Sequence, residues 1–182
     1  GLDWLAFLWS HRLGGILADD MGLGKTLQLL ALIVHAREAG ERRPFLAVVP
    51  TSVLATWRSE AERFAPTLRV RLRGNTQGPS VDASIRDVDL LITTYAVARL
   101  DEAEYARVEW AGLLLDEAQF VKNPATKLHR AIASFRADVT FAVTGTPMEN
   151  SLSELWALLK LTAPGLFASA RKFREQYIQP IE

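Results

Sequence analysis

"ILADDMGLGKT" (Ile16–Thr26) decides how this chain is read. A short apolar run leads into two acids, then into Gly22-Leu23-Gly24-Lys25-Thr26. The residues that follow, "LQLLALIVHAREAG", favour a helix that Gly40 stops. Strand, glycine-rich loop and helix in succession form an anion cradle. Glycines let the backbone approach closely, loop N–H groups turn inward, and the helix start adds its positive dipole end. Lys25 would reach the β- and γ-phosphates of a nucleotide, and Thr26 would ligate magnesium. A glycine-rich turn before any helix has the same local sequence. The general phosphate-loop pattern G-x-x-x-x-G-K-[ST] also asks for glycine where this chain has Asp19. A carboxylate about 4 Å from a phosphate charge costs roughly 4 kcal/mol at an effective dielectric near 20. The helix dipole returns only about 0.3–2 kcal/mol. Asp19 and Asp20 are therefore expected to turn away and brace the loop from behind.

A second motif bears on that ambiguity. "LLLDEAQ" (Leu113–Gln119) ends an apolar strand in two acids. Asp116 would hold magnesium and Glu117 would act as general base on a water. Two acids after a strand are common alone; in this order after the glycine loop they point to ATP with Mg²⁺. A third motif, "VTGTP" (Val143–Pro147), offers Thr144, Gly145 and Thr146 at another strand end, suited to sensing the nucleotide and coupling it to something else.

Around these motifs, apolar runs alternate with helical patterns. Helices are expected over 1–10, 25–39, 52–64 and 126–135, and from Leu152, where Ser151 and Glu154 make a capping box. Buried strands are expected at "PFLAVVP", "DLLITTY", "AGLLLDE" and "VTFAV". "LRVRLR" (Leu68–Arg73) alternates strictly, so it reads as an edge strand with its arginines in solvent. Alternation of this kind predicts an α/β fold with a mainly parallel central sheet and helices on both faces, and its ligands at the strand carboxyl ends. The unusual residues fall there. Thr51 and Ser52 can cap a helix or hold a backbone phosphate, as can Thr93–Tyr95. Trp4, Trp9 and Trp156 read as core; His11, His35 and His129 read as structural.

Composition sets the outer limits. The chain has 182 residues, 49% hydrophobic and 23% charged, with a formal net charge of zero. That suits one globular domain, and no global basicity advertises nucleic acid. The absence of cysteine excludes disulfides and a cysteine-ligated zinc. No run reaches the roughly 18 apolar residues of a membrane span, so no membrane partner is expected. The opening "GLDWLAFLWS" has no signal-peptide pattern and begins mid-helix, so a piece of a longer chain is expected.

"DDMGLGKT", "VVPTSVLATW", "LLITTY", "LLLDEAQFVKNPATK" and "VTGTPMENSLSELWALL" occur in the order of the SWI/SNF-type ATPases of helicase superfamily two, and the chain resembles that family over nearly its whole length. "DEAQ" followed by "VKNP" is most similar to the bacterial and archaeal branch. Asp19, odd for a general phosphate loop, is usual in the family. The resemblance implies a RecA-like P-loop NTPase lobe over 1–164, with an exit segment over 165–182 toward a second RecA-like lobe. It implies ATP and Mg²⁺ as cofactors and double-stranded DNA as partner, in a monomer that translocates without separating strands. Met21, Gly22, Leu23, Gly24, Lys25 and Thr26 would bind the nucleotide, with Thr26 and Asp116 on magnesium. Lys25, Asp116 and Glu117 would be catalytic. Gln119, Thr144, Gly145 and Thr146 would relay the γ-phosphate state. Thr51, Ser52, Thr94, Tyr95 and Asn150 would face the DNA backbone, within segments that include Thr51–Trp57. An adenine-reading segment upstream and the second lobe's arginine fingers are missing. Arginine fingers are worth about 10³–10⁵ in rate in related phosphoryl transfer, so this lobe alone should hydrolyse ATP negligibly. A strand-separating helicase and a non-hydrolysing, nucleotide-gated scaffold are the alternatives; Glu117 argues against the scaffold. The location would be the cytoplasmic nucleoid in a bacterium or archaeon, and the nucleus in a eukaryote.

Overall fold

The computed structural model describes residues 1–18, 24–146, 152–166 and 169–178. The elements in order are α1 (Leu2–Ser10), β1 (Gly15–Leu17), α2 (Lys25–Glu38), β2 (Phe45–Val49), α3 (Leu54–Phe64), β3 (Val70–Arg73), α4 (Val81–Ser84), β4 (Leu90–Thr94), α5 (Tyr95–Leu100), α6 (Glu102–Ala106), β5 (Glu109–Leu115), α7 (Lys127–Ser134), β6 (Arg136–Val143), α8 (Leu152–Thr162) and α9 (Ala170–Phe173). Short 3₁₀ turns at Thr51–Val53 and Ala118–Val121 lead out of β2 and β5. A π-helical turn, Arg174–Ile178, follows α9.

The strands form one six-stranded sheet in the order β1-β6-β5-β2-β4-β3. Every pairing is parallel. Strand side chains alternate between faces, and this divides the core in two. Phe45, Ala47 and Val49 of β2 join Leu29, Ile33 and Trp57 on the α1–α3 face. Leu46 and Val48 join Tyr95, Tyr105, Ile132 and Leu158 on the other. Both faces are covered, which is why β2 and β4 read as unbroken apolar runs. Gly112 sits inside β5 for a steric reason: a Cβ there would lie 2.7 Å from the Phe45 ring.

The registers level the strand ends. Leu17 lies beside Val143, Val48 beside Leu115, and Val49 beside Thr94. The carboxyl ends of β1, β2, β4, β5 and β6 thus open on one edge of the sheet.

Several expectations change. Arg73 is 5% exposed, not solvated. Its guanidinium meets Asp101 at 2.6 Å, the Tyr105 hydroxyl at 3.3 Å and Pro79 O at 3.1 Å. Arg71 donates to Ala83 O and Ser84 O, and Arg69 to Asp89. The β3 arginines are therefore tied down by α4, α6 and the β4 entry. Trp4 is 43% exposed, because α1 is apolar on more than one face and only Leu5, Leu8 and Trp9 turn inward. His129 is buried, with its Nδ1 at 2.7 Å from Val121 O, as a structural histidine should be. Gly40 takes φ +99 just past α2 and ends that helix. Ser151 and its capping box lie outside the described residues.

Candidate functional site

The site is built from strand ends, and its centre is Asp116. Four hydrogen bonds fix that residue. Its N–H donates to Val48 O at 3.0 Å, continuing the β5–β2 ladder by one residue. Its carbonyl accepts the Tyr95 hydroxyl at 2.5 Å. Oδ1 accepts the Glu117 N–H at 2.9 Å, and Oδ2 accepts the indole N–H of Trp57 at 2.8 Å. Burial pushes the Asp116 carboxyl up, the bonds from Trp57 and Glu117 N–H pull it down, the Glu117 charge pushes up and Lys25 pulls down; the net is upward. Burial, with the charges of Asp116 and Glu117, raises Tyr95 well above the ordinary phenol value. Its hydroxyl therefore stays a donor.

Glu117 has φ 48 and ψ 56, left-handed backbone that a side chain rarely adopts. That conformation costs about 1–3 kcal/mol and persists where the surroundings over-determine it. It ends β5 abruptly and starts the Ala118–Val121 turn, which sets Gln119 back beside Glu117. Gln119 Nε2 donates to Glu117 Oε2 at 2.6 Å. Thr144 Oγ1 donates to Gln119 Oε1 at 3.2 Å, and accepts the Thr146 N–H at 3.1 Å. Thr144 N–H in turn donates to Leu17 O, so β1, β5 and β6 meet through this chain of bonds. Residues far apart in sequence, Glu117, Gln119, Thr144 and Thr146, become one polar relay.

Gly24 takes φ 68 at the start of α2, and Lys25 and Thr26 form that helix's first turn. A left-handed N-cap without a side chain exposes the helix N–H groups, as an anion cradle requires. Met21, Gly22 and Leu23 lie outside the described residues, as do Asp19, Asp20, Pro147 and Asn150.

The expected DNA-facing residues divide. Thr51 and Ser52 are exposed, and neither side chain caps the turn they occupy. Thr94 is buried and its hydroxyl caps α5 through Val97 N–H at 3.3 Å. Tyr95 is 5% exposed, its ring stacked on Phe120 with centroids 5.2 Å apart. Trp57, expected within a DNA-facing segment, is 1% exposed and points at Asp116. The buried pair Trp57 and Ala61, four apart on α3, is the sequence signal that could have revealed its inward face.

Comparisons agree with this architecture. The SNF2-related domain family matches residues 1–182. The chain belongs to that family. A putative ATP-dependent helicase/translocase of Bacillus subtilis, YwqA, is 41% identical, covering all of this chain and 20% of its own. The transcription regulatory protein SNF2 of Saccharomyces cerevisiae is 38% identical over 99% of this chain and 11% of its own. Among solved structures, the Sulfolobus solfataricus SWI2/SNF2 ATPase core in complex with dsDNA superposes with a TM-score of 0.90 at 39% identity, covering this whole chain and 38% of that one. The fold is the RecA-like lobe the family resemblance implies. This SNF2-family chain spans a fifth or less of the length of those two curated relatives.

The family implies nucleotide use. The described residues fit a magnesium nucleotide. Two of the roughly four lone-pair directions of the Asp116 carboxylate carry protein donors, and the rest are free for a metal or its water. No cluster of three or more His, Cys, Asp or Glu side chains occurs among the described residues. Magnesium takes one or two protein ligands and completes its shell with phosphate and water. Among the described residues no helix is long and apolar enough to cross a membrane.

Proposed function

We propose that this chain is the ATP-binding lobe of a double-stranded-DNA-dependent ATPase, a translocase that remodels protein–DNA complexes. The observation that carries the reading is the joined constellation at the strand ends. Asp116 is held by four bonds within electrostatic reach of Lys25, and Glu117 is tied through Gln119 and Thr144 to the β6 loop. A scaffold that only gates on nucleotide has no need of a strained, oriented general base. The names of the relatives support the same reading, ATP-dependent in YwqA and DNA-bound in the Sulfolobus core.

In this reading Met21–Thr26 cradle the phosphates, with Lys25 on the β- and γ-groups. Thr26 and Asp116 would hold Mg²⁺, which when bound would neutralise charge on the phosphates. Glu117 takes a proton from the attacking water. Gln119, Thr144, Gly145 and Thr146 report the γ-phosphate to the second lobe. Thr51 and Ser52, at the exposed end of β2, meet the DNA backbone, as does Asn150 by the family resemblance. Thr94 and Tyr95 act from behind that end, since both side chains are engaged inside the protein.

The test is a pair of assays on the complete protein. Duplex DNA is expected to stimulate ATP hydrolysis, and ATP to drive displacement of a triplex third strand without separating the duplex. Hydrolysis indifferent to DNA would overturn the reading. Duplex separation would move it to the strand-separating alternative. Lys25→Ala is expected to weaken ATP binding itself, as read by calorimetry.

A further inference from the structure

We infer that Trp57 and Tyr95 are positioning residues that clamp Asp116 from opposite faces of the sheet and carry the seating of the DNA-facing strand ends into its carboxylate. The inference rests on the proposed function and names a regulation of that same site.

Asp116 is gripped by two aromatic donors that share no element. Trp57 belongs to the core layer on the α1–α3 face, Tyr95 to the layer on the other face. The indole donates to Oδ2 at 2.8 Å and the phenol to the backbone carbonyl at 2.5 Å. With Glu117 N–H on Oδ1, the carboxylate plane is set by donors from two different elements. Indole N–H can only donate, and buried indoles usually find an acceptor. Trp57 donates to the carboxylate of a site residue. Trp110 differs: its indole donates to Tyr105 O at 3.0 Å, five residues back along its own chain.

Both clamps stand directly behind a strand end. Thr51–Val53 is the turn through which β2 enters α3, and Trp57 lies on the first turn of that helix. Thr94 ends β4 and Tyr95 opens α5. The two strands are neighbours, with Val49 beside Thr94. A DNA backbone pressing on exposed Thr51 and Ser52 bears on α3 as a unit. Hydrogen bonds tolerate only a few tenths of an ångström in distance. A movement of α3 beyond that range, carried by the Trp57 ring, turns the Asp116 carboxylate or breaks its bond. Tyr95 holds the backbone of Asp116 still, so the movement is delivered to the side chain.

The experiment uses the complete protein as wild type, Trp57→Phe, Tyr95→Phe and Trp110→Phe. ATP affinity is measured by calorimetry with Mg²⁺ and with EDTA, each with and without duplex DNA. In wild type, Mg²⁺ is expected to tighten ATP, and DNA to increase that gain. Trp57→Phe is expected to leave the EDTA affinity alone, to cut the Mg²⁺ gain about tenfold, at the low end for a group orienting a metal ligand, and to abolish the DNA increment. Tyr95→Phe is expected to act in the same direction less strongly, and it carries the test if Trp57→Phe does not fold. Trp110→Phe is expected to keep both ratios, because it loses an indole bond of equal burial that touches no site residue. A wild type without a Mg²⁺ gain would overturn the function reading and this inference together. A wild type with the gain, and clamp variants that keep it or match Trp110→Phe, would overturn this inference alone.

Discussion

One polar network of this sheet lies at the β3 edge and another at the ends of β5 and β6. At the edge, Arg73 donates to the Tyr105 hydroxyl, Tyr105 donates to Thr93 at 2.9 Å, and Thr93 donates to Arg73 O at 2.8 Å. The bonds form a closed ring, with Asp101 balancing the charge at 2.6 Å. Burial works against the Arg73 charge, yet the bonds to Asp101 and Tyr105 more than offset it, and its pKa rises. At the strand ends the bonds run from Glu117 through Gln119 and Thr144 to Thr146, a line that does not close on itself among the described residues. A carboxylate with spare lone pairs sits at its head, on strained backbone. A closed ring returns its hydrogen bonds to the fold. The Glu117 carboxylate at the head of the line keeps capacity for something that arrives.

That contrast makes sharp predictions for the complete protein. The largest effect belongs to Glu117→Gln. It keeps the shape of the side chain but removes the base, so DNA-stimulated phosphate release should fall about 10²–10⁴-fold. Calorimetry should find ATP binding retained. Turnover that survives would mean Glu117 does not take the proton. Arg73→Met sits at the opposite pole. It leaves Asp101 without its cation and breaks the ring, which should cost about 3 kcal/mol, at the low end for a buried pair because Asp101 is partly exposed. Hydrogen exchange of the β3 and β4 segments should accelerate accordingly. Turnover at a temperature where the variant stays folded should match wild type. A large loss of turnover there would show that the ring is not merely structural.

How far the sequence reached follows from the same physics. Long, strongly patterned elements were legible: β2 and β4 as apolar runs, α2 with its glycine stop, and the order of strands and helices that sends Lys25, Asp116 and Thr144 to one edge. The helices α4 and α6, of 4 and 5 residues, are too short to show a period, and they were missed. Arg73 was misread because strict alternation says which side of a strand a residue takes, not what covers that side. Its partner Asp101 is 28 residues away. Trp57 was grouped with its exposed neighbours Thr51 and Ser52, although a helix turns a residue six positions on to a different face. The place of Tyr95 at a strand end says nothing of its hydroxyl, which donates to Asp116 O. Local pattern places backbone; long-range partners decide where polar side chains point.

The smallest effect is the most discriminating. Thr144→Val replaces a hydroxyl with a methyl of similar size, and Thr144 is buried, so packing is kept. Two bonds go: the one donated to Gln119 Oε1 and the one accepted from Thr146 N–H. Buried hydrogen bonds of this kind are worth about 0.5–1.5 kcal/mol each. Together the two bonds are worth about 1–3 kcal/mol, so the stability loss should not exceed that of Arg73→Met, as hydrogen exchange of β6 can measure. Turnover should fall about tenfold, equivalent to about 1.4 kcal/mol in the barrier, with ATP affinity held within about twofold. The two variants then differ in rate. Arg73→Met loses stability and keeps rate, while Thr144→Val loses rate at a stability cost no greater. If both lost rate in proportion to stability, the line and the closed ring would be the same device. The Gln119–Thr144 bond would then be scaffolding rather than a route by which the nucleotide reaches β6.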